Sequence, residues 1–117
     1  MMQISRISAA LEKSPGFAAL VYTAAELHLA ESFGKARREQ FLAGRFAAKE
    51  AVAKALRLGI GDGSVLREIE VLSADDGSPT LSLHGLALET ARQIGLQNFE
   101  VTLSHDAGLV VAFTVLL

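Results

Sequence analysis

One long helix governs how this 117-residue chain can fold. Residues 36–58 are rich in Ala, Arg, Lys, Glu and Leu, which favour helix, and they contain no proline. Gly59 follows and is a typical helix stop. A helix of this length extends for about 35 Å, roughly the diameter of a small domain. The rest of the chain must therefore pack around it.

Further helices are predicted early in the chain. Apolar residues recur at helical spacing over about 4–14, and Pro15-Gly16 then ends that segment. Thr23 and Glu26 have the spacing of a capping box, which predicts a second helix to about Ser32.

Strands are predicted late in the chain. EIEVLS at about 68–73 and PTLSLH at 79–84 flank a turn, which is typical of a hairpin. A short helix is expected at 85–94, with Gly95 as its stop. Two further strands are expected at 99–105 and 108–117, joined by a tight turn.

Early helices and late antiparallel strands predict an α+β fold with helices packed on a small sheet. The length fits one domain over residues 1–117, large enough to bury a hydrophobic core. The last strand is apolar throughout, so we expect it to be buried on both faces, in the core or at a subunit contact.

Composition excludes several classes of protein. The longest nearly unbroken apolar run, at 108–117, is about half of the roughly 20 residues that a spanning helix requires. No membrane helix or signal peptide is predicted, so a cytoplasmic protein is expected. The chain has no cysteine, which excludes disulfides and thiolate metal sites.

Positive charge is concentrated on the long helix. Residues 35–57 carry a net charge of about +5, although the whole chain carries −2. The cations are Lys35, Arg37, Arg38, Arg45, Lys49, Lys54 and Arg57. They could attract an anionic ligand or could form an ordinary solvated helix face, and charge alone leaves both interpretations open.

Phe46, Glu50 and Lys54 lie on one face of the predicted helix because they are four residues apart. A carboxylate among cations suits a phosphate ester, since the cations bind phosphate oxygens and the carboxylate can hold Mg²⁺. The alternative is an ordinary exposed Glu50–Lys54 ion pair, which spacing by itself favours.

His105 lies at a strand end beside a turn, where it could reach a ligand. It could equally be a hydrogen-bonded turn residue. The adjacent Ser104 and Asp106 cannot complete a catalytic triad with it, because neighbouring residues do not converge. His28 and His84 are interpreted as structural.

With these residues in view, the chain resembles the holo-acyl-carrier-protein synthase family, the small 4′-phosphopantetheinyl transferases. The resemblance is carried by FLAGRFAAKEAVAKAL with the LGIG that follows, by IEVL and DGSPTLSLHG in the hairpin, by VTLSHDAGLVVAF and by TAAEL at 23–27. These stretches cover nearly the whole chain in family order.

The resemblance implies transfer of phosphopantetheine from coenzyme A to a serine of an acyl carrier protein, with release of adenosine 3′,5′-bisphosphate. It implies Mg²⁺ dependence, a homotrimer with sites between subunits, and carrier proteins of fatty-acid or polyketide synthesis. Membranes and nucleic acids are not expected partners.

The resemblance also implies roles for individual residues. Glu50 resembles the metal ligand and is a candidate for taking the serine proton, and Lys54 resembles the residue that holds the transferring phosphate. The residues that resemble those around the nucleotide and its 3′-phosphate are Arg37, Arg45 and His105, with Lys49 also in the motif. Arg6 and Lys13 fall on the first helix, which in the family receives the carrier protein.

Family members begin with a strand of the pattern G-h-G-h-D-h-h, whose aspartate is a second metal ligand. Ungapped alignment places that aspartate immediately before Met1, so we expect this first strand to be missing from residues 1–117. A truncated or misplaced start is the favoured explanation over a natural form that lacks metal-dependent transfer.

Two other functions compete with transfer. A catalytically impaired coenzyme A or nucleotide-binding relative fits the missing second carboxylate. A nucleic-acid-binding module is weaker, because only Phe41 and Phe46 interleave with the cations and the chain is acidic overall.

Overall fold

The computed structural model describes residues 2–14, 16–95, 99–106 and 109–116, and it describes side chains at 6–14 and 16–95. The described residues form five α-helices and five strands. The helices are α1 (Ile4–Lys13), α2 (Phe17–Val21), α3 (Ala24–Glu31), α4 (Lys35–Ala55) and α5 (Gly85–Gln93). The strands are β1 (Met2–Gln3), β2 (Ile69–Ser73), β3 (Pro79–Leu83), β4 (Phe99–Asp106) and β5 (Leu109–Leu116). A 3₁₀ helix covers Ser64–Glu68.

The strands form two antiparallel sheets among the described residues. β5 lies between β1 and β4, with Met2 opposite Val110 and Thr102 opposite Phe113. β2 and β3 form a separate hairpin in which Val71 is opposite Leu81. The α+β prediction is confirmed, although the strands divide into two sheets. The predicted burial of the last strand concerns side chains outside the described set, and the predicted turn at 107–108 also lies outside it.

α4 is the central element, since it packs against α1, α3, β2 and β5. Its inner face contributes Leu42, Ala43, Val52 and Ala53 to the core. Opposite them lie apolar side chains of the 3₁₀ helix and the hairpin, including Leu66, Ile69 and Leu83. The long helix therefore organises the fold as its sequence predicts.

α4 ends earlier than predicted, at Ala55 instead of near 58. Arg57 adopts the left-handed conformation with φ of 59°, and the Leu58 N–H donates to the Ala53 carbonyl at 2.8 Å. This is the Schellman arrangement, in which a left-handed residue reverses the chain. Arg57 takes the place that glycine usually occupies, so Gly59 is not the stop.

The capping box is confirmed: the Thr23 side chain accepts from the Glu26 N–H and the Glu26 carboxylate accepts from the Thr23 N–H. The sequence did not predict α2, the 3₁₀ helix or the two-residue β1.

Among the described residues, no helix has both the length and the apolar character needed to cross a bilayer. The single-domain assignment with a missing first strand stays a prediction.

Candidate functional site

An alternating stripe of aromatic rings and guanidinium groups runs along the start of α4. Arg37, Phe41 and Arg45 are four residues apart on α4, so the helix places them on one side, and Phe33 lies just before the helix. The Arg37 guanidinium carbon lies 4.6 Å from the Phe33 ring centre, and that of Arg45 lies 4.0 Å from the Phe41 ring centre. The two rings are 5.2 Å apart. Each arginine is therefore supported by a ring.

Arg45 is fixed by the hairpin as well as by Phe41. Its Nε donates to the Val71 carbonyl, and its Nη2 donates to the Leu72 carbonyl and the Ser73 hydroxyl. Burial lowers the pKa of Arg45 from its ordinary value, and the negative charge of Glu26 opposes this effect. A guanidinium has five N–H donors, and among the described contacts the two on Nη1 stay available for a ligand.

A cleft of about 270 Å³ opens over this stripe. Arg37 and Arg45 lie in it beside both aromatic rings, and the hairpin closes the other side. The remaining lining residues are Gln40, Ser73 and Gly77. Two arginines beside aromatic rings can bind a phosphate next to a flat heterocycle.

Glu50 and Lys54 lie on a different side of α4. Glu50 follows Arg45 by five positions, which is about 140° around the helix. Neither Glu50 nor Lys54 lines the cleft. Glu50 is half-buried and Lys54 is exposed. The structure thus brings Arg37 and Arg45 together but leaves Glu50 and Lys54 as a second cluster.

Glu50 and Lys54 do not form an ion pair in the structure. The ion pairs between described side chains involve other residues, and no described side chain binds the Glu50 carboxylate. Within the described part of the chain, the half-buried Glu50 carboxylate is left open to a cation.

Glu50 fits Mg²⁺ only if a ligand contributes further oxygens. No group of three or more His, Asp or Glu that could hold a metal occurs among the described side chains. Mg²⁺ is commonly bound by one or two carboxylates together with substrate phosphates and water. The residues therefore suit a metal shared with a phosphate-bearing substrate.

Lys49 is fully buried and has no role at the cleft surface. Its ammonium lies 2.7 Å from Glu26 Oε1 and donates to the carbonyls of Leu66 and Ile69 at 2.9 and 2.7 Å. An ammonium has three donors, so all are used. Lys49 was predicted to bind the cofactor, and this geometry leaves it no donor for a nucleotide.

Arg6 and Lys13 are both exposed on α1. They are seven residues apart, which places them within about 20° of each other around the helix. A second groove, of about 250 Å³, lies between α1 and the start of α4 and includes Lys35 and Arg38. Glu12 and Glu39 also line this groove, so its charges are mixed. Arg6 and Lys13 do not line it, because they lie on the other side of α1 from Ser8.

The three histidines lie far apart in the sequence, and the two with described side chains, His28 and His84, do not line the cleft over α4. His105 lies in β4 opposite Val110 of β5, and its side chain is outside the described residues. His28 and His84 are exposed and lie 3.9 Å from Glu31 and 3.6 Å from Glu70.

A larger cleft, of about 430 Å³, lies between α2, the 3₁₀ helix and the start of α5. Its polar residues include Arg67, Glu68 and His84, and it contains none of the predicted site residues. Glu68 is already occupied, because its carboxylate accepts from the Ala87 N–H at 2.9 Å and so caps α5.

Sequence reasoning missed the aromatic half of the stripe and the hairpin half of the cleft. The spacing of four between Phe33, Arg37, Phe41 and Arg45 was a signal that could have found the stripe. Ser73 and Gly77 gave no such signal, because their approach to α4 depends on how the hairpin docks.

Comparison with known proteins gives a consistent result. A model of the 4′-phosphopantetheinyl transferase superfamily matches residues 1–114. A holo-[acyl-carrier-protein] synthase of Streptomyces avermitilis is 42% identical over 113 residues, covering 97% of this chain and 89% of the relative.

Solved structures agree with this match. The crystal structure of holo-[acyl-carrier-protein] synthase from Neisseria meningitidis aligns with a TM-score of 0.80 at 32% identity, covering 98% of this chain and 91% of that one. A Bacillus anthracis holo-(acyl-carrier-protein) synthase in complex with CoA (3′,5′-ADP) aligns with a TM-score of 0.78 at 32% identity, covering 98% and 89%.

Proposed function

The chain belongs to the 4′-phosphopantetheinyl transferase superfamily, and from this premise we propose that it transfers 4′-phosphopantetheine from coenzyme A to a serine of an apo acyl carrier protein. The products are the holo carrier protein and adenosine 3′,5′-bisphosphate. The observation that carries the proposal is the cleft in which two ring-supported arginines, Arg37 and Arg45, face one opening. Coenzyme A offers such a cleft an adenine and a 3′-phosphate.

In this proposal Arg37 and Arg45 bind the nucleotide half of coenzyme A. The two free Nη1 donors of Arg45 and the exposed guanidinium of Arg37 hold phosphate oxygens. Phe33 and Phe41 support the cations and keep water from one side of them. His105 stays a predicted contributor whose side chain lies outside the described residues.

Glu50 and Lys54 are assigned to the reacting phosphates. The serine oxygen attacks the phosphorus that carries the pantetheine arm, and the bond from that phosphorus to the bridging oxygen breaks. The bridging oxygen leaves with the electron pair as part of adenosine 3′,5′-bisphosphate. Glu50 accepts the serine proton, and Lys54 binds the phosphoryl oxygens on which charge is concentrated.

Mg²⁺ is part of the proposal, and Glu50 would hold it. When bound, the metal neutralises phosphate charge and orients the diphosphate. The absence of a carboxylate cluster among the described side chains makes this binding dependent on coenzyme A.

The placement of the two clusters supports the expected trimer. Arg45 and Glu50 lie on different sides of α4, so they fit a site in which one copy supplies the nucleotide cleft and a neighbouring copy supplies the reacting centre. The proposal places that site between subunits of a homotrimer.

The carrier protein is proposed to bind at α1, through Arg6 and Lys13. The groove between α1 and α4 is mixed in charge, with Lys35 and Arg38 beside Glu12 and Glu39, so the proposal rests on Arg6 and Lys13. Opposite charge would speed association with an acidic carrier protein and make it sensitive to salt. A cytoplasmic location stays a prediction.

The test is incubation with coenzyme A, Mg²⁺ and an apo acyl carrier protein, followed by mass spectrometry of the carrier. We expect the carrier to gain one phosphopantetheine group, and replacing its acceptor serine with alanine should abolish the gain. Binding of coenzyme A without any mass gain would favour the catalytically impaired relative. If the protein neither binds coenzyme A nor modifies the carrier protein, the proposal is rejected.

A further inference from the structure

The outer edge of β2 is bound by side chains of α3 and α4. Lys49 donates to the Ile69 carbonyl at 2.7 Å, and Glu26 Oε2 accepts from the Val71 N–H at 2.8 Å. Arg45 donates to the Val71 carbonyl at 3.2 Å. Unpaired strand edges carry backbone groups that need partners, and here three side chains provide them. The hairpin is therefore positioned against α4 by these contacts.

Glu26 and Lys49 form an ion pair that is completely buried, with both side chains 0% exposed. Each charged group has further partners, since Glu26 Oε1 also accepts from the Thr23 N–H and Lys49 also donates to the Leu66 carbonyl. Well-packed apolar residues often replace such a pair without loss of stability. Stability by itself therefore gives no sufficient reason for burying two charges here.

Val71 connects this pair to the cleft. Glu26 holds its N–H, and Arg45 holds its carbonyl. A displacement of β2 along α4 would move the Val71 and Leu72 carbonyls together, and the Arg45 guanidinium would lose two of its anchors.

We propose that Glu26 is a positioning residue, whose buried charge Lys49 neutralises, and that it fixes β2 against α4 so that Arg45 is held in the nucleotide cleft. This inference rests on the proposed function, because the cleft must bind the nucleotide for the position of Arg45 to matter. Neither residue contacts the substrate. The effect of Glu26 passes through Val71 to Arg45.

Two double variants separate positioning from charge burial. Glu26→Gln/Lys49→Met removes both charges but keeps a side-chain oxygen that can accept from the Val71 N–H. Glu26→Leu/Lys49→Met removes both charges and that acceptor. The two variants are matched in charge and close in volume, and they differ in the side-chain acceptor at residue 26, which serves the Val71 N–H and the Thr23 N–H.

The first readout is calorimetric binding of adenosine 3′,5′-bisphosphate, which requires no turnover. The Gln/Met variant should bind within about threefold of the wild type, and the Leu/Met variant should bind at least about tenfold more weakly, because a displaced guanidinium loses its phosphate contacts. In steady-state assays the Leu/Met variant should raise KM for coenzyme A. Its kcat and its KM for the carrier protein should stay near those of the wild type.

Equal nucleotide affinity in the two folded variants would overturn the inference. If the Leu/Met variant does not fold, Glu26→Asp takes its place, because it keeps the charge and shortens the reach to Val71 by one methylene. A normal nucleotide affinity in Glu26→Asp would then overturn the inference. If the wild type itself binds no nucleotide, the proposed function fails first, and that outcome is distinct from equal binding by the variants.

Discussion

At the scale of single residues, Tyr22 makes the protein's response to alkaline pH measurable. It is the only tyrosine in the chain, and its hydroxyl donates to the Leu42 carbonyl at 2.7 Å inside the core. Burial, together with the nearby charge of Glu26, raises its pKa well above the ordinary value. The folded state therefore resists forming tyrosinate.

The sign of the pH effect follows from this shift. A tyrosine in the unfolded chain ionises near pH 10, so the contribution of Tyr22 is complete below that pH and is lost as the pH rises above it. We expect the free energy of unfolding to fall by up to about 1.4 kcal/mol for each pH unit above 10. Tyrosinate absorbance should appear only as circular dichroism is lost.

Tyr22→Phe is the control for this titration. Lys49, whose pKa is lowered by burial with Glu26 opposing, titrates in both proteins, so the difference between their pH curves isolates Tyr22. The variant should start about 1 kcal/mol less stable, because the Leu42 carbonyl loses its donor, and should fall less steeply above pH 10. Tyrosinate in a folded wild type near pH 10 would contradict the prediction.

Arg45→Lys tests the cleft at one residue. A lysine cannot reproduce the fork that binds two carbonyls and stacks on Phe41. KM for coenzyme A should rise by about tenfold or more, with a smaller change in kcat. Arg92→Lys, on the exposed surface of α5, is the matched control and should leave both constants unchanged. A KM for coenzyme A that is unchanged in Arg45→Lys would show that Arg45 does not bind coenzyme A.

Charge in the sequence indicated α4 as the candidate site but did not distinguish between its cations. Arg45 and Lys49 are four residues apart and look equivalent in the pattern, yet one opens to a cleft and the other is fully buried against Glu26. Their difference is decided by the docking of β2, a contact between residues about twenty positions apart in the chain. Local spacing does not contain that information.

At the scale of elements, the segments with strong local signals were predicted correctly. The capping box predicted the start of α3, helical spacing predicted α1, and the content of helix-favouring residues predicted most of α4. α2 was missed because five residues are too few to show a period. It is held by tertiary packing instead, with the Phe17 ring 5.8 Å from that of Phe46.

The start of α5 gives an element-scale prediction. Gly85 has φ of +53°, and a Cβ there would lie 2.9 Å from the Glu68 carboxyl carbon, whose oxygen caps the helix. Gly85→Ala should lower the free energy of unfolding by about 2 to 3 kcal/mol, from backbone strain and loss of the cap.

Gly95 provides the matched control at the other end of α5. It also has positive φ, but a Cβ there would meet nothing within 4 Å. Gly95→Ala should therefore cost only about 1 kcal/mol of strain. Urea unfolding measures both variants, and an equal loss of stability would show that Glu68 does not cap α5 as the structure indicates.

At the scale of the whole molecule, the separation of Arg45 from Glu50 around α4 predicts that neighbouring copies complete each other's sites. Arg45→Met and Glu50→Gln should each be nearly inactive alone. When the two are refolded together, about a quarter of the sites in random mixed trimers should combine an intact cleft with an intact Glu50 from the next copy. Transfer activity should recover to that fraction of the wild type, with the trimer confirmed by light scattering.

The control mixes Arg45→Met with Arg37→Met. Both residues line one cleft within one copy, so no mixed trimer can contain a complete cleft, and activity should stay at the level of the separate variants. Recovery in the first mixture but not in the second would place the nucleotide and the reacting centre on different copies. If neither mixture recovers although the copies exchange, a single chain must bring Arg45 and Glu50 to the same coenzyme A molecule, and α4 would have to be approached from both sides by one ligand.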